Sequence, residues 1–444
     1  MTSNAPASTQ PVIHMRRPPW LLFLFLTVAF FFVYHDLSFS KNGTDNYNPS
    51  EDDLTAAVVE GSPTRRIALL SLGIYAIVSL IRPGATDRLR IRGSLGWILL
   101  GFVAWASVSA VWAEDPALTL RRLFGFGILC IAAVAVTRSL AIREIILWTV
   151  FSTTLFLAIG FSGEVLLGIF RPFASGYRFA GTLHPNGQGI NCVLLVLSAV
   201  AAADMERDRQ LMFRAFALVG FVFLILTGSR TSIAAAVLAL GVYFTASWSK
   251  RAKVALVYSL SIFFCLFLLV LVNASLSGLK GAGVLGRDDA SVDSFNGRTA
   301  IWEDVGHYVT RRPILGYGYG GFWTPRHMAE ITGSEQWGIP NSHSAYLDYL
   351  LTLGAVGLVM YTFLLVAGIG RAFRFKRLFH DSTFAFCGAL LVFCAVDGFL
   401  ESAAIEPSLL MFLTCVVLAS LAFRDNSNRG PSWDHSSANM EAAE

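Results

Sequence analysis

Apolar residues along this chain come in long unbroken runs separated by short polar stretches. The runs fall at roughly 19–36, 66–81, 94–112, 122–137, 144–169, 189–204, 211–227, 230–247, 253–273, 344–369, 383–400 and 405–423. A helix needs about 20 apolar residues to cross a hydrocarbon layer of ~30 Å, and shorter runs are accommodated by thinning or snorkelling. The pattern predicts an all-α fold, a polytopic transmembrane bundle of about 12 helices. Solid runs such as Val254 to Leu271 lack the two-residue alternation of a membrane barrel. No internal repeat marks a transporter built from inverted halves.

Charge orients the runs. With the N-terminus in the cytoplasm, the short loops on that side carry Arg82, Arg88, Arg90 and Arg92, then Arg138 and Arg143, then Arg207, Arg209 and Arg214, then Lys250, Arg251 and Lys253, and finally Arg371, Arg374, Lys376 and Arg377. Acidic residues gather opposite, in Glu51-Asp52-Asp53, Glu114-Asp115 and Asp288-Asp289. That asymmetry is the positive-inside pattern, and it puts both termini in the cytoplasm. The first run follows Arg16 and Arg17 as a signal peptide would, but so many runs come after it that it reads as a retained anchor. The expected organisation is a cytoplasmic tail at 1–18, a transmembrane domain at 19–423 and a disordered cytoplasmic tail at 424–444.

Composition agrees and excludes alternatives. Hydrophobic residues make up 55% and charged residues only 14%, too few charges to coat a soluble core of this length. The net charge of +4 is spread over short loops, so nucleic acid is not an expected partner, whereas membrane lipids are. Cys130, Cys192, Cys265, Cys387, Cys394 and Cys415 lie in or beside apolar runs without a CxxC pair, which reads as small buried hydrophobes. Neither a metal nor another cofactor is called for.

One loop is out of proportion. Residues 274–343, between the ninth and tenth runs and on the exterior side, carry Trp302, Tyr308, Tyr317, Tyr319, Phe322, Trp323 and Trp337. A connection this long and aromatic is expected to be a folded, partly helical cap. A helix is predicted from Ser294 through Arg298 and Trp302 to Tyr308, stopped by Pro313. Gly316, Gly318, Gly320 and Gly321 follow, suited to close backbone approach; no strand–helix context makes them a nucleotide fingerprint. Asn341 or Ser342 is expected to cap the next helix, with His343 in its first turn and Tyr346 on the same face. An interfacial His beside an aromatic-belt Tyr is the plainer account of that pair.

Polar groups cluster on the same exterior side. Arg178 and His184-Pro185-Asn186 lie between the fifth and sixth runs, Arg230 in the tight turn before the eighth, and Arg298 in the large loop. Arginine on the acidic side asks for an anionic partner, either Glu164, Asp288, Asp289 or Asp293 of this chain or a phosphate, which the planar guanidinium binds in bidentate fashion. Asp397, Glu401 and Glu406 flank the last exterior turn. They are partners for those arginines, ion ligands in a transporter, or interfacial residues without a role. A lipid-anchored diphosphate would use the arginines to neutralise its leaving group, with His343 taking a proton from an attacking sugar hydroxyl.

The order Gly228-Ser229-Arg230, Gly297-Arg298-x-x-x-Trp302, Pro313-x-x-Gly316-x-Gly318 and His343-x-x-Tyr346-Leu347, with Gly354 and Gly357 beyond, resembles the O-antigen ligase and O-antigen polymerase superfamily of bacteria. Within it the chain looks most like exopolysaccharide polymerases of the ExoQ kind. The resemblance is carried by residues 185–365. It implies a metal-independent inner-membrane glycosyltransferase, without cofactor, acting at the periplasmic face on saccharides carried by undecaprenyl diphosphate. Polymerases join repeat units and have a chain-length regulator as a candidate partner, while ligases pass the glycan to lipid A–core. The resemblance makes His343 the base and Arg230, Arg298 and Arg178 the diphosphate contacts. His184, Asn186, Asn341, Tyr346, Asp397 and Glu401 are candidate supporting residues. Many relatives have Asn directly after the histidine, and this chain has Ser344 there. A transporter or flippase for a lipid-linked or anionic solute is the competing class, its best argument the charges near hydrocarbon. For the topology, a single cysteine introduced between residues 280 and 290 is expected to react with an impermeant reagent from outside; protection until the membrane is opened would overturn the orientation.

Overall fold

A computed structural model describes residues 19–35, 62–82, 91, 93–246, 293–332 and 341–423. The run expected at 253–273, residues 274–292 and 333–340 of the large loop, and both tails lie outside the described residues. The chain is an all-α, multi-helix membrane protein. Its helices are α1 (Trp20–Tyr34), α2 (Pro63–Ile81), α3 (Gly93–Val108), α4 (Pro116–Ser139), α5 (Ile142–Leu166), α6 (Pro185–Met205), α7 (Gln210–Leu226), α8 (Arg230–Thr245), α9 (Asp293–Arg311), α10 (Pro325–Thr332), α11 (Ala345–Phe379), α12 (Thr383–Asp397) and α13 (Leu409–Phe423). Seven of them, α2 to α7 and α11, are long and apolar enough to cross a membrane by length and composition, while α1, α8, α12 and α13 are apolar but shorter. Several starts carry the signals the sequence offers: Asp115 caps α4 by accepting from Leu118 N at 2.9 Å, with Pro116 in the first turn.

α6, α12 and α13 are buried over most of their length and form the centre of the bundle. α2 and α7 lie outside them and expose rows of apolar side chains, Ile67, Leu70, Ile74 and Val78 on one and Leu211, Leu218, Val222 and Ile225 on the other. Water would punish such rows, whereas hydrocarbon accepts them. The helix ends are tied together at two ends of the bundle. At one end Arg138 donates to Leu80 O at 2.6 Å and Arg143 Nε to Glu206 at 2.9 Å. At the other end the turn before α4 meets Tyr317, the start of α6 meets the α12–α13 connection, and the turn before α8 meets Arg178.

The described part of the large loop is a folded cap. α9 ends at Arg311, just before Pro313, and the unanticipated α10 follows. Ile301, Val305, Tyr317, Phe322, Trp323, Met328 and Ile331 pack together and onto Leu351 of α11. The cap is joined to the bundle through a break in α11. Gly354 there has φ +67° and ψ −172°, so the helix is interrupted and its backbone groups lose their intrahelical partners. Residues 313–318 replace them: Tyr317 N donates to Leu351 O at 3.0 Å, Gly318 N to Thr352 O at 2.9 Å, and Ala355 N to Pro313 O at 2.8 Å. Trp105 Nε1 takes the Leu353 carbonyl at 3.1 Å. Irregular backbone at membrane depth is tolerated where protein satisfies it in this way.

Two expectations need correction. α11 is capped by Ser344, whose hydroxyl accepts from Leu347 N, so neither Asn341 nor Ser342 is the cap and His343 lies before the helix with φ +53°. The reason is that Asn341 and Ser342 spend their side chains within the turn, on His343 N and on Ser344. The connection between α12 and α13 is also longer than the apolar runs suggested, spanning 398–408, because short turns such as Ile405 N to Ser402 O at 3.0 Å and bonds from neighbouring segments hold its backbone outside a continuous helix. Tyr349 donates to Ala404 O at 3.0 Å and Ser408 to Ala403 O at 2.7 Å, and Ala345 N donates to Gly398 O at 2.9 Å.

A β-carbon at Gly354 would lie 1.9 Å from the Ile314 carbonyl oxygen, and the backbone region is one only glycine occupies readily. Gly354→Ala is therefore expected to cost about 2 kcal/mol or more. A lower thermal midpoint and poor yield in detergent check this; an unchanged midpoint would mean that the cap is not anchored through the break.

Candidate functional site

The site begins with a buried carboxylate. Glu164, in the last turn of α5, accepts from Ala180 N at 3.0 Å and Gly181 N at 2.7 Å through one oxygen, and from the Tyr177 hydroxyl through the other. Together with Phe179 N donating to Leu226 O at 2.8 Å, this ties the α5–α6 connection to the end of α7. Arg178, in the middle of that connection, is consequently aimed. Its Nε donates to Thr227 O at 2.8 Å and its Nη2 to Asn186 Oδ1 at 2.7 Å.

Asn186 sits in the first turn of α6, where His184 is the N-cap and accepts from Asn186 N through Nδ1 at 3.3 Å. The Asn186 amide continues the chain by donating to Glu401 Oε1 at 2.8 Å. Arg298 of α9 donates to the same oxygen at 3.1 Å. Two guanidinium groups thus meet through one carboxamide and one carboxylate. Burial raises the Glu401 carboxyl above its ordinary range, opposed by Arg298.

His343 stands beside this chain. Its turn is held from below by Asp348, buried in the first turn of α11. Asp348 accepts from Ser342 N at 3.2 Å, Trp323 Nε1 at 3.0 Å and the Ser402 hydroxyl at 2.5 Å. Trp302 Nε1 donates to Ser342 O at 2.9 Å, so both halves of the cap fix the turn. The imidazole is half-buried and makes no hydrogen bond with the described residues. Burial, with the Arg298 guanidinium and His184 close by, pulls it from 6.5 to about 3, so it is held neutral.

Behind His343 lies a second set. Asn341 accepts from His343 N at 3.0 Å and donates to Glu406 Oε1 at 2.6 Å. Glu406, its carboxyl raised by burial, lies within electrostatic range of Arg65 and Arg122. Tyr34, at the end of α1, lies within range of Glu406, Glu401, Asp397 and Arg65. Arg122 is occupied structurally, donating to Gly320 O at 2.6 Å.

The structure therefore gathers Arg178, His184, Asn186, Arg298, Asn341, His343 and Glu401 at one end of the bundle. Asp397 closes the base of the group, buried at the end of α12 and hydrogen-bonded by Ser232. Arg230 is different. It begins α8 directly after the turn whose Thr227 carbonyl Arg178 holds, but its side chain is exposed and makes no hydrogen bond or ion pair with the described residues. Tyr346 packs away from His343, on Phe399 with ring centres 4.6 Å apart, and donates to Ala395 O at 2.9 Å. Among the candidate site arginines, Arg298 pairs with Glu401, whereas Glu164 takes two backbone N–H groups and the Tyr177 hydroxyl.

Sequence reasoning passed over Tyr34 and Arg65 and offered Glu406 the arginines as partners, whereas Asn341 donates to it. A signal existed for Arg65: like Arg230, it falls on the side where the expected loop alternation places few basic residues. Among the described residues no group of three or more His, Cys, Asp or Glu side chains is placed to hold a metal ion.

A family model described as O-antigen ligase matches residues 215–362. The match runs from α7 to the middle of α11 and includes Arg230, Arg298, His343 and the break at Gly354. It supports the broad superfamily for this central region, and with it a polytopic membrane enzyme, without selecting a subtype. No curated protein matches the chain.

Removing the carboxylate in Glu164→Ala leaves two buried N–H groups unpaired and is expected to cost about 2 kcal/mol or more. Thermal melting in detergent checks this; a wild-type midpoint would show that the loop is held otherwise.

Proposed function

We propose that the chain is a membrane glycosyltransferase joining exopolysaccharide repeat units carried on undecaprenyl diphosphate, at the periplasmic face of the bacterial inner membrane. The observation that carries this reading is the convergence of Arg178 and Arg298, through Asn186 and Glu401, beside a neutral His343 at the end of a membrane bundle. A diphosphate anchored by its lipid lies at that depth, and the two guanidinium groups offer it bidentate donors. Arg230, exposed at the start of α8, adds a cation reachable from solvent.

The reaction is a displacement at the anomeric carbon. A hydroxyl of the acceptor sugar attacks that carbon while its proton passes to the imidazole of His343. The bond from the anomeric carbon to the diphosphate oxygen breaks, and its electron pair leaves with the diphosphate, whose growing charge the arginines neutralise. In the empty site the imidazole is a weak base. A bound diphosphate offsets the charge of Arg298 and raises the proton affinity of His343, so the base becomes effective when the donor is seated.

A second reading, taken from the name of the matching family, is a ligase that passes a finished glycan to an acceptor such as lipid A–core. The lipid-linked saccharides that accumulate when the gene is deleted separate the possibilities. Single repeats support the polymerase and full-length chains the ligase; absence of any outward-facing intermediate would indicate a flippase.

His343→Ala is expected to lower transfer by about 100-fold or more while undecaprenyl diphosphate still binds. The pH profile carries a second expectation. Because the folded value of about 3 lies below the ordinary 6.5, the free protein keeps its base form through pH 6.5 and loses it only as pH falls toward 3. The acid limb of kcat/KM should accordingly lie below that of kcat, which reports the donor-bound state. Coincident limbs near 6.5 would remove His343 from this role.

A further inference from the structure

His343 has two polar sides, and only one of them suits a diphosphate. The imidazole lies near Arg298 and His184, while the backbone of the same turn is tied through Asn341 to Glu406. On the Glu406 side, Arg65 is half-buried in the first turn of α2, and its guanidinium forms no hydrogen bond or ion pair with the described residues. Glu406 is within its electrostatic range yet not in contact with it. The Tyr34 hydroxyl likewise makes no hydrogen bond with the described residues, and it is seated against the first turn of α6. A β-carbon at Gly187, next to Asn186, would lie 2.9 Å from that hydroxyl oxygen.

A guanidinium within electrostatic range of a carboxylate but not ion-paired with it, with a carboxamide bonded to that carboxylate and a phenol within the same range, offers both donors and acceptors. A second diphosphate would be repelled by Glu406. A polyol satisfies every member: its hydroxyls donate to the carboxylate and to Asn341 Oδ1, and accept from Arg65 and Tyr34. Unmet polar groups of this kind make discrimination steep, because a wrong ligand leaves them unpaired.

We propose that Tyr34, Arg65, Asn341 and Glu406 form the subsite for the acceptor saccharide, seating an uncharged sugar so that one of its hydroxyls reaches the imidazole of His343. The proposal rests on the transferase reading and divides its site in two: donor diphosphate on Arg178 and Arg298, acceptor sugar on Arg65 and Glu406.

The test uses the full chain in nanodiscs and two probes. Donor-side binding is read with undecaprenyl diphosphate carrying no sugar. Acceptor use is read as KM for the soluble repeat oligosaccharide released from the lipid-linked material that accumulates in cells lacking the gene. Glu406→Gln and Arg65→Met are each expected to raise that KM by about 10-fold or more, leaving undecaprenyl diphosphate binding unchanged. Arg298→Ala is expected to weaken undecaprenyl diphosphate binding instead. Tyr34→Phe removes a single oxygen and is expected to raise KM by about 3-fold or more at an unchanged melting temperature, so the proposal stands or falls even where the charge variants fold poorly. An unchanged KM in Tyr34→Phe and Glu406→Gln overturns the subsite, as does a loss of undecaprenyl diphosphate binding in Arg65→Met equal to that of Arg298→Ala. Wild-type protein that neither binds undecaprenyl diphosphate nor transfers sugar would instead overturn the transferase reading itself.

Discussion

The exchange of backbone hydrogen bonds at the break in α11 is the constraint on which the site depends. A helix interrupted within a membrane leaves carbonyl and amide groups that hydrocarbon cannot satisfy, at several kcal/mol each. Here residues 313–318 of the cap supply the missing partners, and the tryptophans at 105 and 112 donate to the Leu353 and Leu315 carbonyls. The cap cannot shift without exposing those groups, and the upper part of α11 cannot shift without the cap. Asp348, Ser344 and His343 all ride on that upper part, while Trp302, Trp323 and Arg298 ride on the cap. A backbone exchange between distant segments thus sets the distance between the His343 imidazole and the Arg298 guanidinium.

Charge within the site is arranged for position more than for stability. A partly buried ion pair gains little net free energy once the desolvation of both ions is counted. The Arg298–Glu401 pair is consequently a poor stabiliser, but it holds a guanidinium at a chosen place, as Asn186 does for Arg178. Glu401 then stands where an anionic ligand would compete for the same donors. Burial already disfavours its charged form, so the carboxylate is a weakly held partner for those donors.

Much of this was legible in the sequence, and what escaped has a common cause. Apolar runs and loop charges located the helices because both signals are local and repeat along the chain. The cap was visible as aromatic content in a loop too long to be a mere connection, and its glycines as close-approach backbone. Arg178, Arg298 and His343 could be singled out by placing charge on the unexpected side. Their partners could not. The Asn341–Glu406 and Asn186–Glu401 contacts join segments far apart in sequence, and no period or spacing announces them. Glu401 and Glu406 could be named beside the last exterior turn, but apolar runs drawn to 400 and from 405 hid the irregular connection that carries them to Asn186, Arg298 and Asn341.

The residue after the histidine shows how local geometry can reconcile an apparent departure. Relatives with Asn there and this chain with Ser344 meet the same requirement if that residue is the N-cap of α11, because Ser and Asn are near-equal as caps. His343 then occupies the position just before the cap, in the left-handed region that costs a residue with a β-carbon about 1–2 kcal/mol. That cost is offset by the hydrogen bonds of Asn341, Ser342 and Asp348, which over-determine the turn. A strained residue held by surrounding bonds keeps its side chain where helical packing would not put it. On α11 itself the imidazole would follow the helix face that carries Tyr346, which packs onto Phe399. Lifted off the helix by one turn, it faces Arg298 and His184 instead, and the cap residue is what makes that turn possible.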